Sequence, residues 1–274
     1  MKLGWIGLGA MGAPMVACVQ RAGHEVLAFD VDPERTGVSS VAEAAGEDVV
    51  VVMVATPDQL DSVLGEAEPA LADDAVLVIM STVGPAPVAA WTERLACAVV
   101  DAPVSGGVAR AGDGDLLIMV AGEETAIERV RPVLDVLARS APVVGAEPGD
   151  GQKVKLVNQL LCGVHIAAAA EALAFAEALG LDAAAVREIV REGAAASFML
   201  DDRGARMVEG AFDPVKSALD IFVKDMGLVT DAARGASYPA PLASAAEQLY
   251  TGGRRAGLGR QDDAALIKVL RGDT

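Results

Sequence analysis

Aromatic residues supply only 3% of the 274 residues, so the core must be built from Ala, Val, Leu and Ile, within a hydrophobic share of 53%. Cations are scarce too: 22 Lys and Arg stand against 39 Asp and Glu, a net charge of −17 and a pI near 4.4. Such a surface repels phosphate backbones and anionic headgroups, which argues against nucleic acid and membrane surfaces as partners. A small anionic substrate stays compatible, because a local site can be cationic inside an acidic protein. The three cysteines, Cys18, Cys97 and Cys162, form no C-x-x-C pair and no even framework. Reduced, buried thiols in a cytoplasmic protein are therefore expected, and no metal site. Met1–Trp5 runs directly into a strand-like segment without a signal-peptide pattern. The longest apolar run, Leu156–Leu179, carries Asn158, Gln159, His165, Glu171 and Glu177, too polar for a spanning helix. The length suffices for two ordinary domains or one large one.

What is present begins at the N-terminus. The apolar run Leu3–Ile6 ends in Gly7-Leu8-Gly9-Ala10-Met11-Gly12, and a helical pattern follows over Ala13–Ala22. This is G-x-G-x-x-G between strand and helix, the context that gives the motif meaning. Gly7 permits the tight turn, Gly9 lets a pyrophosphate approach the backbone, and Gly12 lets helix pack on strand. The helix N-terminus adds N–H donors and a positive dipole end. A second strand, Glu25–Phe29, ends at Asp30, about twenty residues on, where an acid binds adenosine ribose hydroxyls. Gly7, Leu8, Gly9, Met11, Gly12 and Asp30 are thus the first cofactor-binding candidates. Asp30 favours NAD over NADP, since a carboxylate repels a 2′-phosphate. Arg35 is either the counterweight that accepts that phosphate or a solvated loop charge.

Val49–Val54 reads as a strand buried on both faces of a parallel sheet. The crossover that reaches it from Asp30 is brief, so any helix there must be short. A loop and a helix over Gln59–Leu64 follow, then a strand over Val76–Met80 that ends at Ser81-Thr82. Ligands of doubly wound sheets lie outside the carboxyl ends of the strands. Val54, Ala55, Gln59 and Thr82 are therefore cofactor-contact candidates, with helix capping as the alternative use of such residues. Val99–Val104 leads into Ser105-Gly106-Gly107, where consecutive N–H groups and a hydroxyl could cradle a carboxylate; a flexible turn is the equal alternative. Ala111–Asp115 reads as a turn, Leu116–Val120 and Pro142–Val144 as strands, and Glu124–Ala138 as a helix. Glu147-Pro148-Gly149 marks a boundary between residues 1–148, a dinucleotide-binding domain, and residues 149–274.

The second part reads as helices throughout. Its first, Leu156–Leu179, spans roughly 35 Å at 1.5 Å per residue. It is apolar on nearly every face, as suits a helix buried between other elements. Lys155, Asn158, Gln159, Cys162 and His165 break that pattern within one sector, and a polar stripe on a buried helix calls for a ligand or a partner. So long a helix exceeds what the remaining residues can cover, which predicts a homodimer or homotetramer. Lys224-Asp225, embedded among apolar neighbours, is either functional or a structural ion pair. The fold class is α/β: an N-terminal Rossmann-type doubly wound sheet, then an all-α domain for substrate and dimerisation, joined by a long interdomain helix.

These pieces together resemble the β-hydroxyacid dehydrogenase family, which includes 3-hydroxyisobutyrate dehydrogenase and tartronate semialdehyde reductase. Four stretches carry the likeness: Gly7–Gly12, Asp101–Gly107, Gly149–Gln159 and Lys224-Asp225. The resemblance implies an NAD-dependent (or NADP-dependent) oxidoreductase in which Lys155 is catalytic. It implies that Ser105, Gly106 and Gly107 hold the substrate carboxylate, and that Lys224 lies near the nicotinamide. Gln159 stands where many members carry Asn, with Asn158 beside it. The usual fuller helix after Asp30 is missing here. Segments 159–167, 216–225 and 261–268 resemble the members acting on a four-carbon sugar acid such as L-threonate.

The expected chemistry is hydride transfer between a small hydroxy acid and the nicotinamide, with Lys155 as general acid and base. A lysine near pH 10.4 is the wrong base, so burial must favour its neutral form. Asn158 or Gln159 would orient substrate hydroxyls. His165 either reaches the far end of a four-carbon acid or is a core histidine. The alternatives are 3-hydroxyisobutyrate dehydrogenase, tartronate semialdehyde reductase, and a non-enzymatic dinucleotide-sensing scaffold.

Overall fold

The fold is described from a computed structural model, over residues 1–273. The chain forms two compact units, Met1–Lys155 and the residues from Leu156 onward. In the first, β1 (Lys2–Ile6), α1 (Gly12–Arg21), β2 (Glu25–Phe29), α2 (Val41–Ala45) and β3 (Val49–Val52) open the sheet. They continue into α3 (Pro57–Ala67), β4 (Val76–Ile79), α4 (Pro85–Arg94) and β5 (Ala98–Asp101). Next come β6 (Val104–Ser105), α5 (Gly107–Asp113), β7 (Leu116–Ile118), β8 (Val120–Ala121), α6 (Glu124–Leu137), β9 (Ala138–Ser140) and β10 (Val143–Gly145).

Seven strands make one sheet in the order β10-β8-β5-β4-β3-β1-β2, parallel except where β5 meets β8. Every residue of β3 and β4 is buried, because helices cover both faces of these all-aliphatic strands. One face packs Leu3, Trp5, Val49 and Val51 against α1 and α6; the other packs Ile6, Val50 and Val52 against α2 and α3. The crossover after Asp30 contains only α2, a single short turn capped by the Ser40 side chain, as the brief connection required.

Three expectations change. Leu116–Val120, read as one strand, is split between β7 of a three-stranded sheet and β8 of the seven-stranded one. The apolar stretch read as one strand over Val99–Val104 breaks at Ala102-Pro103, since proline cannot donate to a ladder. Its second piece, β6, joins a separate three-stranded sheet with β7 and β9. The turn read at Ala111–Asp115 is instead the end of α5, which stops at Gly114 in the left-handed region (φ 70°).

The second unit is helical, as read. α7 (Asp150–Ala178) begins in the first unit and is followed by α8 (Ala183–Val190), α9 (Phe198–Glu209), α10 (Leu219–Gly235), α11 (Pro241–Arg255) and α12 (Ile267–Arg271). Ile166, Ala170 and Leu173 of α7 are buried with Phe222, Met226, Tyr250 and Leu266. α7 is not sealed on every side: Val157, Leu161 and Phe175 are exposed. By length and composition alone it could cross a bilayer, at a mean hydropathy of 1.5, yet part of that length is core. The interior also holds charge. Asp262 and Asp263, both fully buried, pair with Arg206 and Arg203 of α9, and Asp262 caps the turn before α12.

One ring contact and one hydrogen bond, both through Tyr250, tie α11 to α10 and to α7. Tyr250 stacks on Phe222 with ring centroids 5.4 Å apart, and its hydroxyl donates to the Gly163 carbonyl at 2.9 Å. At Gly163 α10 comes close, since a Cβ there would lie 2.3 Å from the Met226 sulfur. Tyr250→Phe is expected to cost about 1 kcal/mol, the net worth of a hydrogen bond, while Tyr250→Ala costs about 3–5 kcal/mol through the cavity it leaves. Urea unfolding of the two variants beside the wild type checks both figures.

Candidate active site

The glycine loop is shaped by close backbone contact. Gly7 sits at φ 103°, and a Cβ on it would lie 2.4 Å from the Met53 carbonyl oxygen. A Cβ on Gly12 would lie 2.0 Å from the Gly7 oxygen, so α1 can approach β1 only without a side chain there. Gly9 differs: a Cβ on it would meet nothing within 4 Å, leaving its backbone open to a ligand. Leu8 is buried and Met11 half-buried. A groove of about 770 Å³ beside the loop is lined by Gly9, Ala13, Ala28, Arg35 and Gly37 among others. These features fit a dinucleotide whose pyrophosphate approaches the loop, and the residues that would hold it are those of the loop and Asp30.

Asp30, at the end of β2, accepts from Leu8 N at 2.6 Å and Asp32 N at 2.9 Å. Its carboxylate therefore ties the glycine loop to the second strand and keeps further lone pairs for ribose hydroxyls. Arg35 is exposed and already paired with Asp32 at 3.0 Å.

At the ends of β3 and β4 the candidates are engaged within the protein. Val54 N donates to Ser81 Oγ at 2.7 Å. Ala55 N donates to Gln59 Oε1 at 2.9 Å, while Gln59 N donates to Thr56 Oγ1 at 3.2 Å. Thr56 thus caps the start of α3, and the Gln59 side chain reaches back to the N–H of Ala55 just before the cap, the helix-capping use that the sequence left open. Thr82 is half-buried in the loop after β4.

Ser105, half-buried, ends β6, and Gly106 and Gly107 follow with φ of 151° and 78°. Both glycines are exposed, and a Cβ on Gly107 would meet nothing within 4 Å. The segment leads straight into α5, so it is a strand-to-helix turn.

Two residues that the sequence reading did not single out organise the start of α7. Asp101, fully buried at the end of β5, accepts from Gly149 N at 3.0 Å and from Gln152 N at 2.9 Å. The Gln152 side-chain amide donates to Asp101 Oδ1 at 2.7 Å, and its oxygen accepts from Val83 N and Gly84 N at 3.0 Å each. The hub joins the ends of β4 and β5 to the first turn of α7, which explains why the first unit extends to Lys155 and not to the proline-glycine boundary. A charged residue ending an apolar strand just before Ala102-Pro103 was the available signal. Burial pushes the Asp101 carboxyl up from its ordinary 3.8 to about 6, against the pull of its N–H donors.

Lys155, one turn beyond, is 6% exposed. In the second unit Gln159 is buried and donates to Asp225 Oδ2, while Asn158 Nδ2 donates to Gln159 Oε1 at 2.9 Å. Asp225, 2% exposed, also pairs with Lys224 at 2.7 Å. The α10 ion pair is therefore real and is wired to the amides of α7. His165 is exposed, which excludes the core-histidine reading. Among the described residues no cluster suited to a metal ion occurs.

The NAD-binding domain model of 6-phosphogluconate dehydrogenase matches residues 2–145. A second model, the NAD-binding region of NADP-dependent 3-hydroxyisobutyrate dehydrogenase, matches residues 149–270. The chain belongs to the β-hydroxyacid dehydrogenase family. It is 40% identical to an L-threonate dehydrogenase of Cupriavidus necator, over 99% of this chain and 96% of the relative. It is 34% identical to a 2-hydroxy-3-oxopropionate reductase of Escherichia coli, over 98% and 97%. A crystal structure described as 3-hydroxyisobutyrate dehydrogenase from Salmonella typhimurium superposes with a TM-score of 0.89 at 36% identity, covering 98% of this chain and 99% of the other. The family member is an NAD(P)-dependent oxidoreductase whose substrate is a small hydroxy acid.

The buried Asp101 sets a pH signature. Its folded-state value lies above its unfolded one, so between about pH 4 and 6 the folded chain holds the extra proton, and stability from this group falls as pH rises through that window. Denaturation midpoints at pH 5 and pH 7.5 should show wild type losing ground to Asp101→Asn at the higher pH. An unchanged difference would mean that Asp101 titrates in its ordinary range.

Proposed function

We propose that the protein oxidises a four-carbon sugar acid of the L-threonate type, with Lys155 as general base. The observation that carries this reading is a nearly buried lysine on α7, followed one turn on by two amides already held in a hydrogen-bonded array. The 40% identity to an L-threonate dehydrogenase supports the substrate. A single-hydroxyl acid such as 3-hydroxyisobutyrate, or the reduction of tartronate semialdehyde, is the second reading, favoured by the 0.89 superposition and by the reductase relative.

NAD, when bound, would supply the hydride acceptor. Residues 1–148 would hold the dinucleotide, with Gly7, Leu8, Gly9, Met11 and Gly12 for the pyrophosphate and Asp30 for the adenosine ribose. Val54, Ala55, Gln59 and Thr82 would serve the same nucleotide, and the family resemblance assigns Lys224 to its nicotinamide end. Ser105, Gly106 and Gly107 take the substrate carboxylate through the hydroxyl and backbone N–H groups. Lys155, as the neutral amine, takes the carbinol proton, and in reverse it returns that proton to the carbonyl oxygen. Asn158 or Gln159 orients the substrate, and His165 meets its far end. Residues 149–274 form the substrate and dimerisation domain of a cytoplasmic homodimer or homotetramer, a reading supported by exposed Val157, Leu161 and Phe175 on α7.

The test is NADH formation at alkaline pH with L-threonate, D-threonate, D-erythronate, D-glycerate and L-3-hydroxyisobutyrate, each repeated with Lys155→Ala. Turnover should favour a four-carbon acid and fall by roughly 10²–10⁴-fold in the variant, the usual worth of a general base. A preference for 3-hydroxyisobutyrate would retain the family and overturn the substrate. Tight NAD binding without turnover of any acid would favour a dinucleotide sensor.

The nucleotide preference is separately testable. Asp30 and the Asp32-paired Arg35 favour NAD, so fluorescence titration should give tighter binding of NADH than of NADPH. Asp30→Ser should narrow that gap.

A further inference from the structure

Along α7 and α10 runs a chain of groups whose hydrogen-bonding sense is fixed at one end. An ammonium only donates and a carboxylate only accepts. Lys224 forms an ion pair with Asp225 Oδ1 at 2.7 Å, and Oδ2 of the same carboxylate, which can only accept, takes its donor from Gln159 Nε2. With Nε2 turned to Asp225, the atom that Gln159 presents to its neighbour is the acceptor Oε1. Asn158 answers with a donor, Nδ2, at 2.9 Å. The second proton on Nδ2 points to Cys162 Sγ at 3.4 Å. Turning over either amide would set a carbonyl against a carboxylate or one carbonyl against another, so the orientation follows from the fixed donor and acceptor senses of the partners.

Both protons of the Asn158 amide are thus engaged, and the polar atom left is Oδ1, which among the described residues accepts no hydrogen bond. Asn158 is half-buried and lies three residues after Lys155 on one continuous helix, the spacing that puts two side chains on the same face. We propose that Asn158 is a specificity-determining residue that accepts a hydrogen bond from a second substrate hydroxyl, with Lys224, Asp225 and Gln159 as positioning residues that fix its polarity. This rests on the reading of Lys155 as the base that receives the reacting hydroxyl.

The consequence is a choice between substrate classes. In 3-hydroxyisobutyrate the single hydroxyl is the one that reacts, and a methyl group occupies the neighbouring position. That acid leaves Oδ1 without a donor. A polyhydroxy acid supplies one. A site arranged to bond a hydroxyl discriminates against the analogue that lacks it, because the polar group is left desolvated and unpaired.

The experiment compares kcat/KM for L-threonate and L-3-hydroxyisobutyrate, with NAD, in wild type, Asn158→Leu and Asp225→Asn. NADH binding, read by fluorescence, confirms that each variant is folded. Asn158→Leu should lower the threonate-to-hydroxyisobutyrate ratio at least about tenfold, a change of about 1.4 kcal/mol. Asp225→Asn, whose amide can face Gln159 as donor or acceptor, should lower the same ratio while Lys155 and Asn158 are both retained. A wild type that prefers L-threonate, with a ratio unchanged within about twofold in Asn158→Leu, would overturn the role of Asn158 and leave the proposed substrate standing. A wild type that prefers hydroxyisobutyrate would overturn both.

Discussion

Asp101 holds an ionisable group in a place where water cannot reach it, and the arrangement around β4, β5 and α7 depends on it. Three N–H donors from Gly149 and Gln152 converge on its carboxylate, and the Gln152 amide passes the connection to Val83 and Gly84. No apolar residue could organise the backbone this way, because the N–H groups at the start of a helix need acceptors. The requirement also accounts for Gly151, where a Cβ would lie 2.5 Å from the Met119 carbonyl oxygen and 2.8 Å from Asp101 Oδ2. The position of Lys155 along its helix is therefore set from the sheet, by a buried charge that burial itself makes costly.

Comparable logic governs the second unit. Asp225 is shared between Lys224 and Gln159, and Asp262 and Asp263 are shared between two arginines of α9, a capped turn and the Lys216 backbone N–H. A chain with so few aromatic residues has limited means of fixing helices by large interlocking side chains. Its small aliphatic residues pack densely but leave many near-equivalent arrangements, and the buried polar groups select one among them.

Much of the fold could be read from the residues. β2, ending at Asp30, and the all-helical second part follow from periodicity, and the glycine loop follows from G-x-G-x-x-G set between strand and helix. The break at Ala102-Pro103 and the helix at Gly107–Asp113 did not follow, because short segments carry too few periods to be told apart from turns. In the candidate site, the polar stripe from Lys155 to Gln159 was legible as a violation of apolar pattern. Its long-range partners were not: Asp101 with Gln152, and Asp225 with Gln159, are brought together by tertiary structure across separations that no local spacing encodes. The Thr56 cap on Gln59 N was legible in principle as a spacing of three, and such capping competes with the cofactor-contact use of Gln59.

The scarcity of aromatic rings has an optical consequence. Both tryptophans, Trp5 and Trp91, lie in the first unit. The Trp5 indole is fully buried on β1 and donates at 3.0 Å to the carbonyl oxygen of Gly7, inside the very loop that a dinucleotide would approach. Trp91 donates to Asp61 and stacks beneath the Arg94 guanidinium. The second unit contributes no indole at all, so the intrinsic emission of the chain is a label-free view of the nucleotide half, with one of its two emitters hydrogen-bonded to the glycine turn.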